Sequence, residues 1–124
     1  RYRARYRPKT AEVILKGQQV TAEELLNARA GQIQLCDQLE ALKRQMGIDI
    51  WVSPAATGDA PEGLYTTGDP IMNLPWTYAG LPTVTIPAGV SPRGLPLGLQ
   101  LTAAFMEDEK LLAWANTLIK SIHS

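Results

Sequence analysis

One cysteine, one histidine and no excess of either charge leave this chain few routes to chemistry. Cys36 has no partner for an internal disulfide, which fits a reducing compartment, and the expected location is cytoplasmic. His123 is the penultimate residue, where chain ends fray, so the body of the chain holds no imidazole to act as a base. The two residues also lack HExxH or CxxC spacing, and no metal centre is expected. No GxGxxG or GxxxxGK[ST] loop is present to cradle a phosphate, so no nucleotide cofactor is expected either. Twelve basic and twelve acidic residues cancel, leaving no global field toward nucleic acid or anionic lipid. No apolar run reaches the ~18–20 residues that a bilayer crossing needs. No signal peptide is visible in these residues either, which open on Arg1-Tyr2-Arg3-Ala4-Arg5 instead of an apolar stretch. With no initiating methionine, the chain reads as part of something longer.

What remains is a globular composition, 45% apolar and 19% charged over 124 residues, enough for one domain with a core. Residues 1–20 read as a basic lead-in and 21–124 as the body. The lead-in carries Arg1, Arg3, Arg5, Arg7 and Lys9 among Tyr2 and Tyr6. Guanidinium and aromatic faces in alternation could stack on bases, so a non-catalytic module binding RNA or protein through residues 1–9 is one reading. A solvated terminal segment is the other.

From Thr21 the pattern turns helical. Thr21-Ala22-Glu23-Glu24 has capping-box spacing. Leu35, Leu39, Leu42 and Met46 form a stripe that ends at Gly47, so a long helix is expected over 22–46. On it, Cys36 reads as a small core residue. Ile48-Asp49-Ile50-Trp51-Val52 reads as a buried strand stopped by Ser53-Pro54. Residues 53–81 then show four prolines, four glycines and no period, the mark of a long functional or partner-packed loop. Two strands follow, 82–87 and 95–101, joined by turn residues as a hairpin. Pro96 is expected at an edge or at the start of its strand. A last helix over 107–122 carries the stripe Leu111, Ala115, Leu118 and Ile122. The expected fold class is α/β: a partial mixed sheet of about three short strands with a long N-terminal and a C-terminal helix.

Nothing in these residues assembles a self-contained catalyst. None of Ser53, Ser91, Ser121 and Ser124 sits in a Gly-x-Ser-x-Gly elbow. The acids at 107–109 read as partners of a helix dipole, not as an acid–base pair.

One ordered set of motifs is nevertheless specific. Asn73 and Trp76-Thr77 lead into Ala79-Gly80-Leu81-Pro82, then a strand ending Pro87-Ala88-Gly89, then Gly94-Leu95-Pro96-Leu97-Gly98-Leu99-Gln100-Leu101. Together with the upstream aspartate-led strand 48–54 and the helix start at Glu107, this resembles the C-terminal part of the amidase-signature family. The resemblance covers about residues 5–122. It implies an incomplete part of a larger α/β/α fold and the hydrolysis of carboxylic amide C–N bonds. Such enzymes use a Ser–cis-Ser–Lys triad and a glycine–serine-rich oxyanion hole, both N-terminal to the matched region, so no triad residue carries over. By the same resemblance, Asp69, Asn73, Trp76 and Thr77 line the substrate pocket. Asp69 would hold a polar group and Trp76 would supply an apolar face. Against this, Asn73 and Thr77 could simply satisfy loop backbone and Trp76 could be core. The implied partners are the N-terminal catalytic portion of the parent enzyme and a small amide. No nucleic acid or membrane is expected, and self-association through uncovered apolar surface is.

Overall fold

The computed structural model describes residues 5–122. The first four residues of the basic arm and His123 lie outside them. The chain groups into two compact units, one ending at Gly31 and one starting at Gln32.

In the first unit the lead-in contains a helix that the sequence reading did not place: α1, Pro8–Gly17. Pro8 occupies the first helical position, where a missing N–H costs nothing. Arg7 precedes it in extended backbone, and Lys16 pairs with Glu12 one turn back at 2.8 Å. Lys9 of the arm is therefore on a helix. The long helix α2, Ala22–Met46, begins as expected. Glu24 N–H donates to Thr21 Oγ1 at 3.2 Å, and Thr21 N–H donates to the Glu24 carboxylate at 2.8 Å. The bonds that Thr21 N–H, then its Oγ1–H, donate to the Glu24 carboxylate hold that carboxyl below its ordinary pKa.

In the second unit α2 ends at Gly47, whose φ of 65° is left-handed. There Ile48 N–H reaches Lys43 O and Gly47 N–H reaches Arg44 O, the paired bonds of a Schellman stop. Strands β1 (Trp51–Pro54), β2 (Thr83–Val90) and β3 (Pro96–Thr102) form a sheet in the order β1-β3-β2. The expected sheet was mixed, yet both pairings within this chain are antiparallel. The reason is connectivity: the hairpin puts β3 beside β2, and β1 takes the free side of β3 with its direction parallel to β2.

Two further differences concern β1. It starts at Trp51, not Ile48, and runs through Pro54. Being an edge strand it has a side with no ladder partner, where a proline without an N–H is tolerated. Its residues alternate between half-buried Trp51 and Ser53 and exposed Val52 and Pro54, so it is not buried on both faces. Pro96 begins β3 as expected, although β3 is the central strand.

The segment 53–81 is also more structured than its lack of period suggests. Asp69 Oδ1 accepts from Ile71 N–H at 2.9 Å and starts a 3-10 turn, Pro70–Met72. Helix α3, Leu74–Ala79, follows. Gly80, at φ 70°, stops α3 as Leu81 N–H bonds to Trp76 O and Gly80 N–H to Thr77 O. The Ala79-Gly80-Leu81-Pro82 motif is thus a helix stop delivering the chain into β2. Helices this short carry too little periodicity to be read from sequence.

Helix α4, Asp108–Ile122, lies against β2 and β3. The core joins Ile86, Leu101, Ala103, Leu111 and Ala115, with Val84, Leu99, Trp114 and Leu118 around it. Leu111, Ala115 and Leu118 face inward as the stripe predicts, whereas Ile122 is exposed. The α2 stripe is half open: Leu35 and Leu39 are half-buried, Leu42 and Met46 exposed, and α2 buries no residue fully.

Candidate functional site

Beside the sheet lies an open cavity of about 690 Å³. The start of the long loop, from Pro54 to Pro61, forms one wall, and Leu97, Gly98 and Leu99 of β3 form another. Thr67, Gly68, Asp69 and Met72 close a third side. Gly98 is required here by space: a Cβ on it would stand 2.5 Å from Thr85 Cγ2 and 3.1 Å from Ala55 Cβ.

An ionic clasp fastens the loop wall. Asp59 receives Ser91 Oγ–H at 2.7 Å and Arg93 Nε–H at 2.8 Å on one oxygen, and Arg93 Nη2 on the other. Arg93 also donates to the Ala60 carbonyl at 3.0 Å. These bonds from Arg93, then from Ser91, hold the Asp59 carboxyl down at about 2, so it is ionised throughout the neutral range.

Of the four residues expected in a pocket, Asp69 lines this cavity, with one oxygen occupied by its own turn. Asn73 stands next to Met72 of the wall and is tied to the sheet. Gln100 Nε2 donates to Asn73 Oδ1 at 2.9 Å, and Asn73 Nδ2 donates to the Ala55 carbonyl at 3.5 Å. Trp76 is half-buried and stacks on Trp51 of β1, ring centroids 6.3 Å apart at 29°. Thr77 is exposed, and its carbonyl serves the stop of α3. Asp69 and Asn73 are therefore brought to one region. Trp76 braces α3 against β1, and of the four only Asp69 is among the cavity's lining residues.

The sequence reading missed Gln100, Ser53, Asp59 and Arg93. Gln100 had a faint signal, a polar residue between the apolar positions 99 and 101 of a strand. The Asp59–Arg93 pair had none, because its members are 34 residues apart.

Cys36 is half-buried and lines a separate hollow with Ile33, Ala79 and Phe105. Burial, then the Glu40 and Asp37 carboxylates, raise its pKa, so it stays a thiol at neutral pH. Each described serine hydroxyl donates elsewhere: Ser53 to Gln100 Oε1, Ser91 to Asp59, Ser121 to the Thr117 carbonyl. Among the described residues no group of His, Cys, Asp and Glu could hold a metal ion. No helix among them is long and apolar enough to cross a membrane.

The fold defines a class. A solved amidase structure superposes on 94% of this chain with a TM-score of 0.80 and 28% identity. A chain from a vestigial complex bearing on the origins of an s-triazine catabolic enzyme covers 96%, with a TM-score of 0.77 and 25% identity. The sequence matches the family model described as Amidase over residues 3–112, and the chain belongs to that family. A glutamyl-tRNA(Gln) amidotransferase subunit of Gluconobacter oxydans is 33% identical over 92 residues. Its counterpart in Beijerinckia indica is 40% identical over 83. The matched part is 68% of this chain and 19% of the Gluconobacter protein, and the amidase superposition covers 29% of that structure. The chain thus spans a fifth to a third of the length of the relatives it matches.

Proposed function

We propose that this chain is the C-terminal, pocket-lining segment of an enzyme that hydrolyses carboxylic amide C–N bonds, with the Ser–cis-Ser–Lys triad supplied by a portion outside the segment. The observation that carries the reading is the open cavity walled by Asp69, Met72 and Gly98, beside serines already committed to other acceptors. A serine nucleophile needs a base at its hydroxyl, and these hydroxyls point to an amide oxygen, an ion-paired carboxylate and a helix carbonyl. In this reading residues 21–124 form the functional body. Asp69 in the cavity wall and Asn73 beside it offer polar contacts to the amide substrate, while Trp76 and Thr77, which are not lining residues, act through α3, held to β1 by the stacking of Trp76 on Trp51.

The test is an amide and ester hydrolysis assay on the 124-residue chain with a serine-reactive probe alongside. Neither turnover nor labelling is expected. A labelled serine within this chain would overturn the division of labour. Joined to the N-terminal portion of a family member, the segment should support turnover, and Asp69→Asn should raise KM more than it lowers kcat.

A further inference from the structure

The loop wall of the cavity is held at two ends by different groups. At its root, Ala55 N–H donates to the Gly98 carbonyl at 3.0 Å and ties the chain to β3. At its far end, Asp59 and Ala60, both lining residues, are gripped by the turn between β2 and β3. Between these ends stand only Ala56, Thr57 and Gly58, three small residues of the same wall.

The turn is braced by its own bonds. Ser91 N–H bonds to Leu95 O and Gly94 N–H to Ser91 O, each at 2.8 Å, with Gly94 left-handed at φ 77°. Ser91 Oγ accepts the N–H groups of Arg93 at 3.2 Å and Leu95 at 3.3 Å, while donating its own proton to Asp59. From this anchor Arg93 reaches two residues of the wall at once: the Asp59 carboxylate through Nε and Nη2, and the Ala60 carbonyl through Nη2. A planar, forked guanidinium suits that double grip better than the single ammonium of a lysine does. Arg93 does not line the cavity, and its side chain is 54% exposed. An ion pair so exposed contributes little to global stability, so the effect of the clasp is local.

We infer that Arg93 is a positioning residue, acting through Asp59 and Ala60 to hold the loop wall at a set distance from β3, and that it thereby selects for amides with an apolar body that fills the gap. The inference rests on the pocket-wall reading above and deepens it. A fixed wall presents Pro54, Ala55 and Ala56 on one side of the gap, and Leu97 and Leu99 on the other. Apolar area covered on both flanks favours a ring over a methyl group. With its far end released the wall can draw away, and the larger ligand then loses more contact than the smaller.

The test uses the ¹⁵N-labelled 124-residue chain and two probes, benzamide and acetamide. In the unsubstituted chain benzamide is expected to shift the amides of Ala56 and Gly58 on the loop and of Gly98 and Leu99 on β3, and to bind several-fold tighter than acetamide. Arg93→Met should bring that ratio toward one with the thermal midpoint retained. The β3 amides should still respond and the loop amides should not. Arg93→Lys should recover part of the preference. An affinity ratio that Arg93→Met leaves unchanged would overturn the inference and leave the pocket reading standing. So would a responding wall with no preference for benzamide in the unsubstituted chain. A proportional loss of both affinities with a lowered thermal midpoint would make Arg93 a residue of the fold alone. No response at either wall of the unsubstituted chain would remove the pocket and the inference together.

Discussion

At Gly98 the cavity and the sheet compete for the same space. The strand needs a residue that lets Thr85 and Ala55 approach from either side, and only a hydrogen fits between them. Gly98→Ala is expected to lower stability by about 1–3 kcal/mol through overpacking. Urea unfolding would show it, and adding Thr85→Ser should recover part of the loss because Cγ2 is the nearer obstacle. At this scale sequence reasoning fared unevenly. Asp69 and Asn73 were selected through the family resemblance alone; Asp69 lines the cavity, and Asn73 stands beside its wall residue Met72. Trp76 satisfied both ideas weighed for it only in part: it is half-buried against Trp51, neither full core nor cavity wall. Gln100 escaped because its role depends on Ser53 and Asn73, which sequence distance hides.

Between elements, the end of α2 and the start of α4 are joined by one carboxylate. Glu107 accepts from Lys110 at 2.6 Å and from Lys43 at 2.9 Å, and Lys43 lies 5.8 Å from the Trp114 ring centroid. Glu40, on the same helix as Lys43, accepts from Phe105 N–H at 3.0 Å. The bonds from Lys110, then Lys43, bring the Glu107 pKa down from 4.5 to about 2. A depressed carboxylate pKa stabilises the folded state fully above the unfolded value, and the contribution fades as pH falls from about 4.5 toward 2. Glu107→Gln should therefore flatten the acid limb of a stability-versus-pH curve in that window while lowering stability at pH 7. Thermal midpoints across pH 2 to 7 would check this, and an unchanged acid limb would count against the tie. The capping box and the Gly47 stop of α2 were legible beforehand, since both motifs are local. The α2–α4 tie was not, because 64 residues separate Lys43 from Glu107.

For the whole molecule, surface and size point the same way. Ile33, Leu42, Met46 and Val52 remain 41–64% exposed. The sheet has three strands, with β1 and β2 as its edges. Open edges and apolar patches pair with whatever is available. In a segment covering 19% of a relative's length, the rest of the fold would ordinarily cover such surface. The isolated chain is accordingly expected to self-associate, with the mass from light scattering rising with concentration. A monomer that stays monodisperse at high concentration would show that these faces need no cover.

By itself the sequence determined the elements whose instructions are local, together with the family. α2 is bounded by its cap and glycine, the hairpin by its turn residues, and α4 by its apolar period. The ordered motifs from Asn73 to Leu101 point to amidases because their spacing reflects a shared path of the chain. Only the tertiary structure decided the antiparallel order of the sheet, the use of Pro54 in an edge strand, the Asp59–Arg93 clasp and the Ser53–Gln100–Asn73 relay. Each of these joins residues remote along the chain, and a contact of that kind leaves no periodicity for the sequence to display.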